Sequence, residues 1–280
     1  MAKLFKKFSR MPLAMASLIF LGAISVGATF APEFTRQSYE TQNIDEKLET
    51  PSARHWMGTD VLGRDLYSRI VYGARMSLAV GVLTALLSLF VGTLVGAIAG
   101  YRGGKTDGFL MRVVDLFYIF PSLLIAILLT VYFGRGFLGI LIALSLTSWV
   151  THARLVRNLV LQAKEMLYVE SARSMGIRSG RILFRHILPN IVGPIIVSLT
   201  FQIPTNIMSE SFLSFIGLGL EPPYSSWGTL ANEGFRAMKS YPHLILYPGA
   251  ILFVTLVAFN ALGDGLRDVL DPMGKRDFGA

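Results

Sequence analysis

Six stretches of the chain contain no Asp, Glu, Lys or Arg: Met11 to Pro32, Met76 to Tyr101, Leu116 to Gly134, Gly136 to Ala153, Ile187 to Ser209 and Ser240 to Gly263. A helix needs about 20 apolar residues to cross the roughly 30 Å hydrocarbon core of a bilayer, and each stretch is long enough for that. Helices buried in a soluble protein keep a polar stripe, which charge-free runs of this length lack. The pattern predicts an all-α fold, a polytopic bundle of about six transmembrane helices. The first run ends in the small-residue triplet Val26-Gly27-Ala28, which a cleaved signal peptide also shows. It continues uncharged to Pro32, however, and is read as an uncleaved first helix.

The polar segments divide the chain. Residues 1–32 form an N-terminal segment and first helix, 33–75 a small extracytoplasmic segment, 76–273 a five-helix core with a cytoplasmic loop at about 164–189, and 274–280 a tail. Within the second segment, His55 to Asp65 combines turn glycines with alternating acid and base, the pattern of an ordered turn held by local hydrogen bonds and ion pairs. From Leu66 onward the apolar spacing predicts an amphipathic helix leading into the second span. The loop at 164–189 is long for a connection between packed helices. Val169, Ala172, Met175, Ile182 and Leu183 mark two short amphipathic helices, broken at Gly176 and Gly180 and closed by Pro189. Arg178, Arg181 and Arg185 share one face there, suited to lipid headgroups.

Composition agrees with lipid as the solvent, since 52% of the 280 residues are hydrophobic and only 16% charged. Lys and Arg are retained on the cytoplasmic side. Placing both termini there puts most of the 26 basic residues inside, and the net charge of +8 follows from topology without nucleic acid as a partner. The chain has no cysteine, and His55, His152, His186 and His243 are dispersed without helical pairing, so no metal-ligand set is visible. Gly104-Lys105-Thr106 ends like a phosphate-binding loop, but position 99 is alanine and a transmembrane helix precedes it, so nucleotide binding is not expected. No catalytic, cofactor or metal residue is assigned. Glu210 follows an apolar run directly and is the candidate for a substrate pathway, with the end of the fifth helix at water as the alternative. Arg112 and Asp115 are expected to pair at i,i+3.

Four separated motifs carry a family resemblance. Glu170-Ser171-Ala172, Gly176 and Leu188-Pro189 resemble the cytoplasmic loop signature of ATP-binding-cassette importer permeases, with Ser171 standing for an alanine and His186 for an isoleucine. Arg185 to Asn190, His55 to Asp65 with Ser68-Arg69, Ser214 to Gly219 with Pro222-Pro223 and Trp227-Gly228, and Phe259 to Pro272 are similar to the dipeptide and oligopeptide branch, C-type subunit. The resemblance implies a type I importer permease fold. It also implies a second homologous permease, two cytoplasmic ATPase subunits that hydrolyse ATP, and an extracytoplasmic solute-binding protein. In that machine Glu170, Ser171, Ala172, Met175, Gly176, Leu188 and Pro189 couple the ATPases to the spans, with Ala172 and Met175 on one face entering an ATPase groove. This chain would be a transport subunit with no ATPase site or bound cofactor of its own. The cargo implied is small peptides, with nickel chelates, glutathione and antimicrobial peptides as alternatives. A proton-coupled secondary transporter should carry ionisable residues inside several spans, and these runs have none.

Overall fold

The computed structural model describes residues 7–35 and 37–270. The tail at 274–280 and the end of the closing motif at Asp271-Pro272 lie outside them. The described residues are mostly helical, with a single isolated antiparallel bridge between Thr59 and Asp65 among them. The elements that position the site are α1 (Pro12–Thr29), α2 (Leu66–Arg102), α3 (Gly104–Ile119), α4 (Ser122–Phe133) and α5 (Phe137–Lys164). They are followed by α6 (Leu167–Ser174), α7 (Ser179–Ile182), α8 (Leu188–Leu213), α9 (Trp227–Ala237) and α10 (His243–Leu270). Five of the helical runs are long and apolar enough to cross a membrane alone, and α3 with α4 forms a further pair bent by 86°.

The expected amphipathic helix at Leu66 and the second span are one helix of 37 residues. At 1.5 Å per residue it is roughly 55 Å long, so it outruns the bilayer core and stands above it. Its projecting end supports a polar cap. Asp65 caps the helix, accepting from the Ser68 N–H at 2.8 Å and the Ser68 hydroxyl at 2.7 Å, while its other oxygen lies 3.0 Å from His55 Nδ1. Asp60 closes the preceding turn by accepting from the backbone N–H groups of Leu62 and Arg64 and from Arg64 Nε at 2.6 Å. This much of the turn is local, as its sequence implies. The cap is then tied to α9 by Arg69, which donates to both Asp60 and Glu233.

The third crossing departs from the expected straight span over Leu116–Gly134. Pro121 lacks an N–H and excludes the preceding residue from helical angles, and Phe120 sits extended at φ −91°, ψ 142°. Whether the bent pair crosses or turns back is decided by its neighbours. Gly92 of α2 lies against Trp149 to Ala153 of α5, Gly96 against Ala153 to Arg157, and Gly100 against Arg157 to Val160. Residue numbers rise together, so α2 and α5 run parallel, and the chain between them must return along their length. Val114 of α3 packs with Trp149 and Val150, and Ala126 of α4 packs with Val80, Ile140 and Leu144. The pair thus covers both halves of the α2–α5 unit as a broken third crossing, giving six among the described residues.

Two further differences have simple causes. Asp115 pairs with Arg154 of α5 at 2.5 Å rather than with Arg112, because α3 lies against α5 and the charged ends of the two helices meet there. Helix α9 has no counterpart among the apolar runs. It begins with a capping box in which Ser226 and Thr229 exchange hydrogen bonds, and Trp227 and Leu230 are buried against Leu66, Ile70 and Leu244.

Candidate coupling loop

The loop between α5 and α8 is an elbow. Its first arm, α6, ends where Gly176 takes φ +74°, a left-handed conformation that costs a residue with a Cβ roughly 1–2 kcal/mol. A Cβ at Gly176 would meet nothing within 4 Å, so the glycine serves the backbone angle and not a tight contact. The second arm starts at Ser179 and does not stop at Gly180 or Pro189. Helix α7 runs through a π turn, Leu183–Ile187, into α8. Leu188 N–H donates to the Leu183 carbonyl five residues back, and Pro189 has no N–H to continue the normal ladder. The expected closure at Pro189 is therefore a change of helical register within one continuous rod, which ties α7 stiffly to the fifth crossing.

The inner side of the elbow is a small core. Val169 and Ala172 of α6 pack with Ile182, Leu183 and Ile187, and with Val156 and Val160 of α5. Ala172 is 2% exposed and Met175 is 72% exposed, so these two residues do not form one docking face as expected. The helix turns 100° per residue, which sends Ala172 inward with Val169, whereas the outward face carries Leu167, Tyr168, Ser171 and Met175. Leu167 is 80% exposed. Glu170 is exposed beside this face, Leu188 is half-buried and Pro189 exposed.

Charged contacts fix the base of the elbow. Arg157 of α5 grips Asp107 of α3 with two hydrogen bonds of 2.6 Å, a bidentate arrangement with geometric specificity. Lys164, the last residue of α5, donates to the carbonyls of Gly100 at 3.4 Å and Tyr101 at 3.1 Å, where the unpaired carbonyls and dipole of α2 favour a cation. A groove of about 660 Å³ opens beside the loop, lined among others by Arg102, Arg173, Ser179 and Phe184. No group of three or more His, Cys, Asp or Glu able to hold a metal occurs among the described residues.

Glu210 is elsewhere. It is 0% exposed, enclosed by this chain's own helices and not open to water as the alternative reading had it. Its carboxylate accepts from Ser214 Oγ at 2.6 Å, Ser77 Oγ at 3.2 Å and Ser211 Oγ at 3.5 Å. The Ser77 hydroxyl in turn accepts the Trp227 N–H at 3.2 Å, and Ser226 Oγ donates to Ser214 Oγ at 3.3 Å. A buried carboxylate with this many donors ties α2, α8 and the start of α9 together.

Six crossings and a projecting elbow between the fourth and fifth define a polytopic helical membrane protein. The family of binding-protein-dependent transport system inner membrane components matches residues 92–274, and the N-terminal TM domain of oligopeptide transport permease C matches residues 1–51. The chain belongs to this family of inner-membrane permeases. It is 44% identical to the oligopeptide transport system permease protein OppC of Bacillus subtilis over 95% of this chain and 87% of that one. It is 43% identical to the dipeptide transport system permease protein DppC of the same organism, over 97% and 85% of the two chains. To the glutathione transport system permease protein GsiD of Pectobacterium atrosepticum it is 41% identical, over 95% and 89%. Among solved structures, an inward-facing MetNI methionine ABC transporter chain superposes with a TM-score of 0.61 at 17% identity, covering 73% of this chain and 97% of that one. That likeness concerns the fold.

Proposed function

We propose that this chain is one permease subunit of an ATP-driven importer of small peptides, with both termini and the 164–189 elbow in the cytoplasm. The observation that carries the reading is the outward face of α6. Leu167, Tyr168 and Met175 are exposed on a loop otherwise rich in arginine, and an apolar face held out on a stiff arm calls for a protein partner. In an importer that partner is a cytoplasmic ATPase subunit, which supplies the hydrolysis for which this chain has no phosphate-binding loop. A homologous second permease, a second ATPase copy and an extracytoplasmic solute-binding protein complete the machine. The peptide cargo rests on the relatives, whose names speak of oligopeptide, dipeptide and glutathione transport, all molecules built on peptide bonds.

Transport proceeds by alternating access in this reading. ATP-driven closure of the ATPase pair moves α6, and the continuous α7–α8 rod passes that movement to the fifth crossing. A two-state element responds only to differential contacts in its two states, and the elbow offers the surface on which they form. Co-purification of the ATPase with the permease is the test. Leu167→Glu and Met175→Glu each bury an unpaired carboxylate in the contact, and each is expected to weaken ATPase capture by roughly tenfold to a hundredfold. Arg181→Gln, on the exposed side of α7, is expected to leave capture unchanged. Full capture by both glutamate variants would remove α6 from the coupling role.

A further inference from the structure

The fifth crossing carries a polar ridge that its apolar character conceals. Ser198, Gln202, Asn206, Glu210 and Ser214 recur every four residues along α8 and into the π turn that follows. Each step of four residues advances about 40° around a helix of 3.6 residues per turn, so the ridge winds around α8. Its far end, Glu210 and Ser214, is buried in the junction with α2 and α9. Its near end, Ser198 and Gln202, is half-exposed along the seam between α8 and α5.

Across that seam α5 presents the half-exposed Ser148 and the buried His152. Asn206 organises the set. Its side-chain oxygen accepts from Ser148 Oγ at 3.1 Å and from Gln202 Nε2 at 3.1 Å, while its amide nitrogen lies 3.4 Å from the Gly81 carbonyl of α2. Gln202 is thereby held by its nitrogen, with its carbonyl oxygen unpartnered among the described residues. One helical turn away His152 Nδ1 and Ser198 Oγ lie 3.0 Å apart, and His152 Nε2 is buried without a hydrogen-bond partner.

Unpaired amide and hydroxyl groups are costly against hydrocarbon, and α8 exposes the apolar side chains Val192, Ile196, Met208 and Phe212 elsewhere along its length. The seam is also free of formal charge, so it offers neutral donors and acceptors and no preference for a charged side chain. We infer that the seam of Ser148, Ser198 and Gln202, braced by Asn206, lines the passage and binds the backbone amides of the peptide in transit. This rests on the peptide-import reading above. Hydrogen bonds to backbone N–H and C=O groups suit cargo of varied sequence, because every peptide presents them.

The chain contains no cysteine, so each single-cysteine variant carries one labelled position in this subunit, read on its own band after the subunits are separated. In membranes holding the complete transporter, Gln202→Cys and Ser148→Cys are expected to react with a charged, water-soluble methanethiosulfonate at least tenfold faster than Ile196→Cys, and a transported dipeptide is expected to slow the reaction. Gln202→Leu is expected to lower dipeptide uptake about fivefold to tenfold, the weight of roughly one lost hydrogen bond. Labelling of Gln202→Cys no faster than Ile196→Cys, or unimpaired uptake by Gln202→Leu, overturns the inference while leaving peptide import intact. Absence of dipeptide uptake by the unmodified transporter instead overturns the peptide-import reading, and this inference with it.

Discussion

Gly96→Leu is expected to lower the melting temperature of the detergent-solubilised protein by roughly 6–12 °C, corresponding to about 3 kcal/mol in a chain of this size. The reason is the contact between α2 and α5. A Cβ at Gly96 would lie 2.4 Å from the Ala153 carbonyl oxygen and 2.9 Å from the Arg157 nitrogen. Both are backbone atoms of a helix, which cannot rotate away as a side chain does. Gly92 and Gly100 meet the same helix, with their added Cβ atoms 2.7 Å from the Trp149 carbonyl and 2.8 Å from the Arg157 carbonyl. Three glycines four residues apart thus let two parallel crossings approach closely, the arrangement by which small residues stabilise helix pairs where lipid provides no hydrophobic drive. Gly27→Leu is the control, since nothing lies within 4 Å of that position. Equal melting temperatures for the two variants would mean that the α2–α5 contact does not hold the bundle.

Arg69→Met is expected to cost about 3–5 kcal/mol, the usual consequence of removing one partner of a buried ion pair. Arg69 is 2% exposed and Asp60 3%. Arg64 Nε continues to bind Asp60 at 2.6 Å, but its contacts to Glu233 are long, at 3.4 and 3.5 Å. Without Arg69 the cap therefore loses its firm link to α9, and two carboxylates share one guanidinium. Glu233→Gln should be milder, because the Glu233 side chain is 33% exposed and water screens the charges left behind. Yield of monodisperse protein and resistance of the segment at 33–75 to protease measure both effects. Losses as large for Glu233→Gln as for Arg69→Met would contradict the ranking.

How much of this was legible in the sequence depends on the distance over which each interaction acts. Charge-free runs announce membrane crossings because the cost of charge in lipid is local to each residue. The turn at His55 to Asp65 is likewise closed mainly by neighbours, Asp60 with Arg64 and Asp65 with Ser68. The bond from Arg69 to Glu233 spans 164 positions, and no local pattern names that partner. Asp115 illustrates the same limit, since the i,i+3 rule offers Arg112 whereas tertiary packing brings Arg154.

Other features were present but masked by their apolar setting. The spacing of Gly92, Gly96 and Gly100 is a helix-packing signal inside a run that registers only as apolar. Pro121 marks the break of the third crossing for the same reason. Ser198, Gln202 and Asn206 are uncharged and leave the apolar run intact, so the ridge emerges only when positions four apart are compared. Ser226 with Thr229, interleaved with the apolar Trp227 and Leu230, was the available signal for α9. In the elbow, the positions of both arms and the turn at Gly176 followed from the pattern of apolar residues and glycine. Which side of α6 faces inward did not, because Ala172 and Met175 are both apolar and only the neighbouring core of Ile182, Leu183 and Ile187 separates them.

The most direct test of ATP-driven peptide import is uptake by the complete transporter in proteoliposomes, with its binding protein and a dipeptide supplied on the extracytoplasmic side. Uptake is expected to require ATP on the ATPase side and to persist when an uncoupler collapses the proton gradient at constant ATP. Uptake that continues without ATP, or stops when the gradient is lost, would contradict it.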